Sequence, residues 1–485
     1  MKKIFLIGLM GLVGLTGSNV ANAQFNETNN LFYHTLRTPQ SNLLNPAFFP
    51  TNNTWYVALP GFDMKFGSPV AISDFAFYNR TTQRTQINID SLMNRLTDGN
   101  KFRMDANVNI FGFGFKVRNT FITFNTRVNN SINFGFPVDM VNALRTGNID
   151  QTGAVRPVVE MVDGEILNAT SYLETGIGVG HHFEPIHLTV GVRAKLLFGI
   201  ANIQTDNTRL QLITDPNMDS VTARMFYEVQ AATFAPYDTL DKKFIINMSD
   251  IMNNANTGFA FDIGAKYDWG PFSFSFSVND LSSGIHWKNN VFTLKPQSGQ
   301  SDITFNGMDI TTMLNGGSLN VDSLTNYFEE RFGDMKPVKK DSGDYWFSIP
   351  TKFNVGVNYN FGRIFRLGLL FHGQLDRGLL SNTNTIAVGT TDAENTFRWN
   401  GTVSLGMNLY DWMEVIVANS LVNDGSNMDV INPGIGFVFT PFRIFQFYLM
   451  GDYVSDFYLT DSKAFNFKLG FNLLFGTGGR TRIEG

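Results

Sequence analysis

Phe465-Asn466-Phe467-Lys468-Leu469-Gly470-Phe471-Asn472-Leu473-Leu474-Phe475 decides the reading of this chain. Successive side chains of a strand point to opposite faces. Phe465, Phe467, Leu469, Phe471, Leu473 and Phe475 therefore share one side, and Asn466, Lys468, Gly470 and Asn472 share the other. The stretch is as long as a strand that crosses a bilayer, about 9–11 residues, with one face for lipid and one for water.

The same period recurs along most of the chain. Ile122, Phe124, Thr126, Val128, Ile132, Phe134 and Phe136 oppose Thr123, Asn125, Arg127, Asn129, Ser131 and Asn133. Ile186, Leu188, Val190, Val192, Ala194, Leu196 and Phe198 oppose Thr189, Gly191, Arg193 and Lys195. Phe272, Phe274 and Phe276 oppose serines, and Phe353, Val355, Val357 and Tyr359 oppose Asn354, Gly356 and Asn358. Stretches 259–267, 365–375 and 403–409 follow suit. A slip of one residue would turn Lys and Arg into lipid, so the register is strongly specified. Between Ile110 and Phe111 the apolar phase switches, which a β-bulge or the end of the membrane span would explain.

Composition agrees. Aromatic residues make up 14% of the chain, with 47 Phe, yet mean hydropathy is only −0.07; alternating lipid and lumen faces cancel in the average. No apolar run reaches the roughly 20 residues of a spanning helix. Lys2 and Lys3, the apolar stretch from Ile4 to Leu15, and Ala21-Asn22-Ala23 read as a signal peptide cleaved ahead of Gln24. With no cysteine, disulfides and thiolate metal sites are excluded. A net charge of −5 argues against nucleic acid as a partner.

Connections give the topology. Arg118-Asn119, Glu184-Pro185, Trp269-Gly270, Gly362-Arg363, Asp411-Trp412 and Pro441-Phe442 join alternating segments as tight hairpins. Between these hairpins lie the longer connections 137–169, 202–256, 284–344, 378–396, 423–432 and 456–463. Short periplasmic turns and long extracellular loops are the pattern of outer-membrane barrels. The expected fold is all-β: a transmembrane antiparallel up-and-down barrel of about fourteen strands, within two, because 202–256 and 284–307 have room for another hairpin. The expected organisation is signal peptide 1–23, N-terminal periplasmic or plug segment 24–51, barrel 52–476 and periplasmic tail 477–485. It places the protein in the outer membrane of a Gram-negative bacterium, among outer-membrane lipid, with both termini periplasmic. Short helices are expected in the loops at 89–96, 137–144 and 323–332, and strand extensions of the wall at 208–213 and 221–234. Trp55, Trp269, Trp287, Trp346, Trp399 and Trp412 all lie near strand ends, as an interfacial girdle requires.

Signatures of chemistry are few. His181, His182, Glu184 and His187 surround one turn, but alternation sends His181 and His182 to opposite faces and no zinc spacing is met. No nucleophile elbow, phosphate loop or HExxH helix is present, so neither an enzyme nor a resident cofactor is expected. The polar faces carry Arg127, Arg193, Lys195, Asp262, Lys266, Arg366, Asp376 and Lys468. They read either as a selectivity surface or as a ladder of charges paired across the interior.

The candidate plug or gate is rich in apolar residues that need burial: Phe32 and Tyr33, then Leu43-Leu44-Asn45-Pro46-Ala47-Phe48-Phe49. Its Asn-Pro-Ala turn resembles the start of long-chain fatty-acid transporter-type barrels and of porin V-type barrels. Over nearly its whole mature length the chain is more similar to an uncharacterised Bacteroidota outer-membrane barrel family. The matching pieces are Leu44-Asn45-Pro46-Ala47-Phe48, Ile89-Asp90-Ser91-Leu92, Phe111-Gly112-Phe113-Gly114 and Phe136-Pro137-Val138-Asp139 with Gly147-Asn148. That resemblance implies a fold and a location, and transmits no substrate or binding residue. Two functions fit. One is a passive transporter of small hydrophobic or amphipathic molecules, captured near Met218, Met225, Phe226, Tyr227, Phe234 and Tyr237 and passed beside Phe32, Tyr33, Phe48 and Phe49. The other is a non-transporting scaffold of an envelope secretion or motility complex, docking through 284–344 with Glu329, Glu330, Arg331, Lys339 and Lys340. The gate-like composition of the N-terminal segment favours the first.

Overall fold

The computed structural model describes residues 30–50 except Leu36, the barrel strands with their short turns, and parts of the longer connections. Residues 1–29 and 478–485 lie outside the described residues, as do parts of the connections that include 143–152, 218–219, 245–249, 306–313, 320–336, 376–396 and 453–462. The expected signal peptide, the C-terminal tail, the helix at 323–332, Met218, Glu329, Glu330, Arg331 and Asp376 fall there.

Fourteen antiparallel strands close into a barrel. They are β1 (Asn53–Gly67), β2 (Lys101–Val117), β3 (Thr120–Gly135), β4 (Leu167–Phe183), β5 (Leu188–Thr214), β6 (Thr257–Trp269) and β7 (Phe272–Trp287). Around the other half run β8 (Thr351–Phe361), β9 (Phe365–Leu375), β10 (Phe397–Tyr410), β11 (Met413–Asn423), β12 (Met428–Phe439), β13 (Phe445–Asp452) and β14 (Ala464–Thr477). Pairing of β1 with β14 completes the ring, and Trp55 stacks on Phe475 across that seam at 3.9 Å. Closure removes the free sheet edges.

Alternation is realised in three dimensions. Along β7, Phe272, Phe274 and Phe276 are exposed on the outside, and Ser273, Ser275 and Ser277 are buried inside. The phase switch is a bulge: Asn109 pairs with Arg127 and Phe111 with Thr126, leaving Ile110 as the extra residue. Ile110 and Phe111 are both exposed outside, so one inserted residue repeats the outward face and leaves the register intact on either side.

The β-sheet contains twenty strands; those beyond the barrel's fourteen extend its wall. The far end of β5 pairs with Val158–Gly164 on one side and Val221–Thr233 on the other. Val221–Thr233 pairs in turn with Phe292–Pro296 and Ser301–Phe305. Val221–Thr233, Phe292–Pro296 and Ser301–Phe305 therefore belong to this annex, Tyr237–Asp238 and Lys243–Phe244 pair as a separate small sheet, and none adds a strand to the barrel. Among the expected loop helices, Ile89–Met93 is described and is capped by the Asn88 side chain, which accepts the Ser91 N–H at 3.0 Å.

The girdle expectation needs one correction. Trp55, Trp269 and Trp412 are exposed on the outer surface, whereas Trp287 is wholly buried. It packs inside the mouth with Leu197, Ala260, Ile285, Phe347 and Ile349. An aromatic at a strand end serves either location, and only the inward phase of β7 distinguishes them.

The bulge makes a sharp prediction. Deleting Ile110 should make the β2–β3 ladder regular, move the one-residue offset to the β1–β2 pair, where Ala58 faces Gly112 and Gly61 faces Asn109, and leave a barrel that still assembles. Deleting Val128, in an unbulged stretch, should turn Asn129, Ser131 and Asn133 outward and abolish assembly. Heat-modifiable mobility on a denaturing gel reads both.

Candidate functional site

The candidate site is the interior, occupied by residues 30–50. This segment forms two short 3₁₀ turns, Leu31–His34 and Pro39–Leu43, the second started by Pro39. Asn45 then builds the Asn-Pro-Ala turn. Its Oδ1 accepts the Ala47 N–H at 2.9 Å, and its carbonyl accepts the Phe48 N–H at 2.9 Å. The side chain of Asn42 closes the turn by donating to the carbonyls of Pro46 (3.2 Å) and Phe48 (2.6 Å). These bonds satisfy backbone groups that have no sheet partner, a requirement for any buried irregular segment.

Side chains of the wall read the segment's main chain. Arg193 donates to the Asn42 carbonyl at 2.7 Å, and Arg366 donates to the carbonyl of His34. Ser277 donates to the Leu44 carbonyl at 2.8 Å, and Gln446 to that of Arg37 at 3.1 Å. In the reverse direction Asn45 Nδ2 donates to the wall carbonyls of Phe276 (3.2 Å) and Ala265 (3.4 Å). Tyr33 donates to Ser275 at 3.0 Å, Thr35 to Glu414 at 2.8 Å, and Gln40 exchanges amide bonds with Asn472.

The apolar residues meet the wall as well. Leu31 and Phe32 pack on Ile416, Val438, Tyr448 and Met450. Tyr33 and Phe48 cluster with Leu370, and Phe49 stacks on Phe121 at 4.8 Å. All four aromatic residues expected to flank a ligand path thus act as anchors between segment and wall.

Inward glycines make room. A Cβ on Gly191 would lie 2.1 Å from the Pro46 oxygen, and one on Gly264 2.1 Å from Asn45 Oδ1. Gly356 faces the Tyr33 ring and Gly368 faces His34 in the same way. The wall is cut back where the Asn-Pro-Ala turn and the first 3₁₀ turn lie.

The inward charges pair with one another. Arg193 Nη1 is 3.3 Å from Asp262, and Lys195 lies 2.7 Å from Asp262 and 2.6 Å from Asp280. Arg127 meets Glu174 at 2.9 Å, Arg366 meets Glu414 at 2.5 Å and Lys468 meets Asp63 at 3.1 Å. Lys266 pairs with Asp268 at 2.6 Å, close to the β6–β7 turn and away from the segment. The ladder reading describes these groups, and breaking one such buried pair costs about 3–5 kcal/mol.

Sequence reasoning missed several partners. Glu414 stands alone among Met413, Val415, Ile416 and Val417, where an apolar run hides the alternation. Asp280 reaches Lys195 because it sits at a bulge with φ of 58°, a conformation Asp tolerates better than most residues. Gln446 and Asn42 gave no signal beyond polarity, and alternation set Asn472 on the polar face without naming its partner. Glycines on a polar face (Gly191 and Gly356 among them) were the one clue to a close approach.

Residues 46–452 match the family described as "Family of unknown function (DUF5723)". The chain belongs to this family. No curated protein matches the sequence. Among solved structures, it is similar to the toluene transporter TodX of Pseudomonas putida, with 8% identity over 91% of this chain and 95% of that one, at a TM-score of 0.44. The Ralstonia pickettii toluene transporter TbuX gives 8% identity over 90% and 94%, also at 0.44. The translocator domain of the Neisseria meningitidis autotransporter NalP gives 6% over 87% and 89%, at 0.33.

His34 supplies a pH dependence. Its Nδ1 is 2.8 Å from Ser404 Oγ, and its Nε2 is buried without a partner. Burial first, and the Arg366 charge second, depress its pKa from 6.5 to about 3. The seated segment therefore excludes a proton that the released segment binds. Seating is at full strength above pH 6.5 and weakens as pH falls, by about tenfold per unit down to pH 3. Amide exchange in residues 30–50, corrected for intrinsic rates, should show that loss of protection between pH 7 and 4. His34→Gln should flatten it; protection independent of pH in the unsubstituted protein would contradict the assignment.

Proposed function

We propose that this chain is an outer-membrane passive channel for small hydrophobic or amphipathic molecules, gated by residues 30–50 as a plug, with both termini periplasmic. The outer surface supports the membrane location. Phe259, Phe261, Phe272, Phe274, Phe276, Leu369 and Phe371 are among the large apolar side chains exposed there, on a scale water-soluble monomers do not tolerate.

The glycine bays carry the gating argument. A barrel of this width is not filled by its own side chains alone. Here the wall gives up side chains at Gly191, Gly264, Gly356 and Gly368 to admit a separate segment. When that segment leaves, the bays and the polar groups that held it become the lining of a passage. The buried interior carries polar groups such as Asn354, which bonds the Leu44 carbonyl and His372, and a separate apolar cluster of Leu197, Ile285, Trp287 and Phe347. The two together suit a molecule with both characters.

Planar-bilayer conductance tests the reading. Protein with the segment intact should be closed. Protein lacking residues 24–51, shown to be folded by heat-modifiable mobility, should conduct. Equal, large conductance in both would exclude a plug, and silence in both would exclude a channel.

A further inference from the structure

The wall recognises the plug through side chains and, over several residues, through its main chain. The carbonyls of His34, Arg37, Asn42, Leu43 and Leu44 accept bonds from Arg366, Gln446, Arg193, Asn279 and Ser277 respectively, with Asn354 also reaching Leu44. A carbonyl is common to every residue, so this part of the seat tolerates sequence. Besides the side-chain contacts of residues 31–40 and of Asn42, two places discriminate among side chains. One is the bay where Gly264 and Gly191 admit Asn45 and Pro46 and where Asn45 donates to two wall carbonyls. The other is the apolar contact of the following Phe48 with Tyr33 at 5.0 Å and with Leu370.

Main-chain bonds for affinity and a few pockets for selection are how proteins bind peptides in extended or turn conformations. The donors are buried and charge-balanced before the peptide arrives, since Arg193 and Arg366 are already held by Asp262 and Glu414. Such preorganisation lowers the cost of ordering on binding. The seat also faces the periplasmic rim: Arg37 donates to the carbonyl of Tyr410 at the end of β10, and the chain leaves residue 50 directly for the start of β1.

We propose that the plug seat is a peptide-binding site open to the periplasm, able to take from another protein a segment of the form Asn-Xaa-Xaa-Asn-Pro-small-aromatic in place of residues 42–48. The proposal rests on the plug reading and adds the class of its competitor. A displaced plug and a bound foreign peptide would then be one event, and the barrel would report the presence of that peptide.

The test uses the full chain with its own plug weakened, Asn42→Ala with Asn45→Ala, which leaves every wall residue in place. The probe is a synthetic peptide of residues 30–50. The double variant should conduct, and the added peptide should suppress that current in a saturable manner. The same peptide carrying Asn45→Ala should need at least tenfold more. Current that persists at millimolar peptide overturns the peptide site while leaving the gate reading intact. A double variant that assembles and stays closed counts against the gate reading itself. Direct binding of fluorescent peptide to the detergent-solubilised double variant then decides the site: saturable binding sensitive to Asn45→Ala supports it, and none overturns it.

Discussion

Arg193 shares one guanidinium between the wall and the segment that fills it: Asp262 on one side, the Asn42 carbonyl on the other. A buried cation needs both its charge and its donors satisfied, and here neither partner alone does so. The wall's electrostatics and the segment's position are therefore one problem with one solution. Arg366 repeats the arrangement with Glu414 and the His34 carbonyl. Each joint lets main chain, carrying no formal charge, settle beside an ion pair without unpairing it.

The same economy explains the glycines. A strand with an apolar outer face gains from a large outward residue, and its inward neighbour is free to be whatever the interior demands. Val190 and Val192 hold the outer surface, and Gly191 between them yields to Pro46. Cross-strand register carries this across the sheet, since Gly191 pairs directly with Gly264 and the two bays merge. A segment with few backbone bonds of its own can then lie close enough to the wall for short side chains such as Ser277 to reach it.

The barrel was legible because each strand solves the two-solvent problem alone. Phe353 to Phe361 reads as a strand without knowledge of its neighbours, and the six tight turns punctuate the chain wherever the pattern restarts. Even the bulge at Ile110 announced itself as a change of phase. The interior was less legible because its partners are distant in sequence. Arg193 and Asp262 are 69 residues apart, and Thr35 and Glu414 are 379 apart. Period 2 says that both face inward and nothing about which meets which. Trp287 misled for a related reason: its ring suits an interface and a core equally, and only tertiary packing chose. The Asn-Pro-Ala turn was visible as a motif, but its holder Asn42 was not, because a polar residue before Leu43-Leu44 has no period to violate.

The central claim is that residues 30–50 sit inside the barrel, against β3 and β5 through Asn42. Because the chain has no cysteine, a pair can be introduced cleanly at Asn42 and Thr123, whose side chains meet at 3.2 Å. A short thiol-specific cross-linker should join the two positions in the folded Asn42→Cys, Thr123→Cys protein, shifting its gel mobility. Two free thiols, both open to a bulky maleimide under the same conditions, would contradict the account.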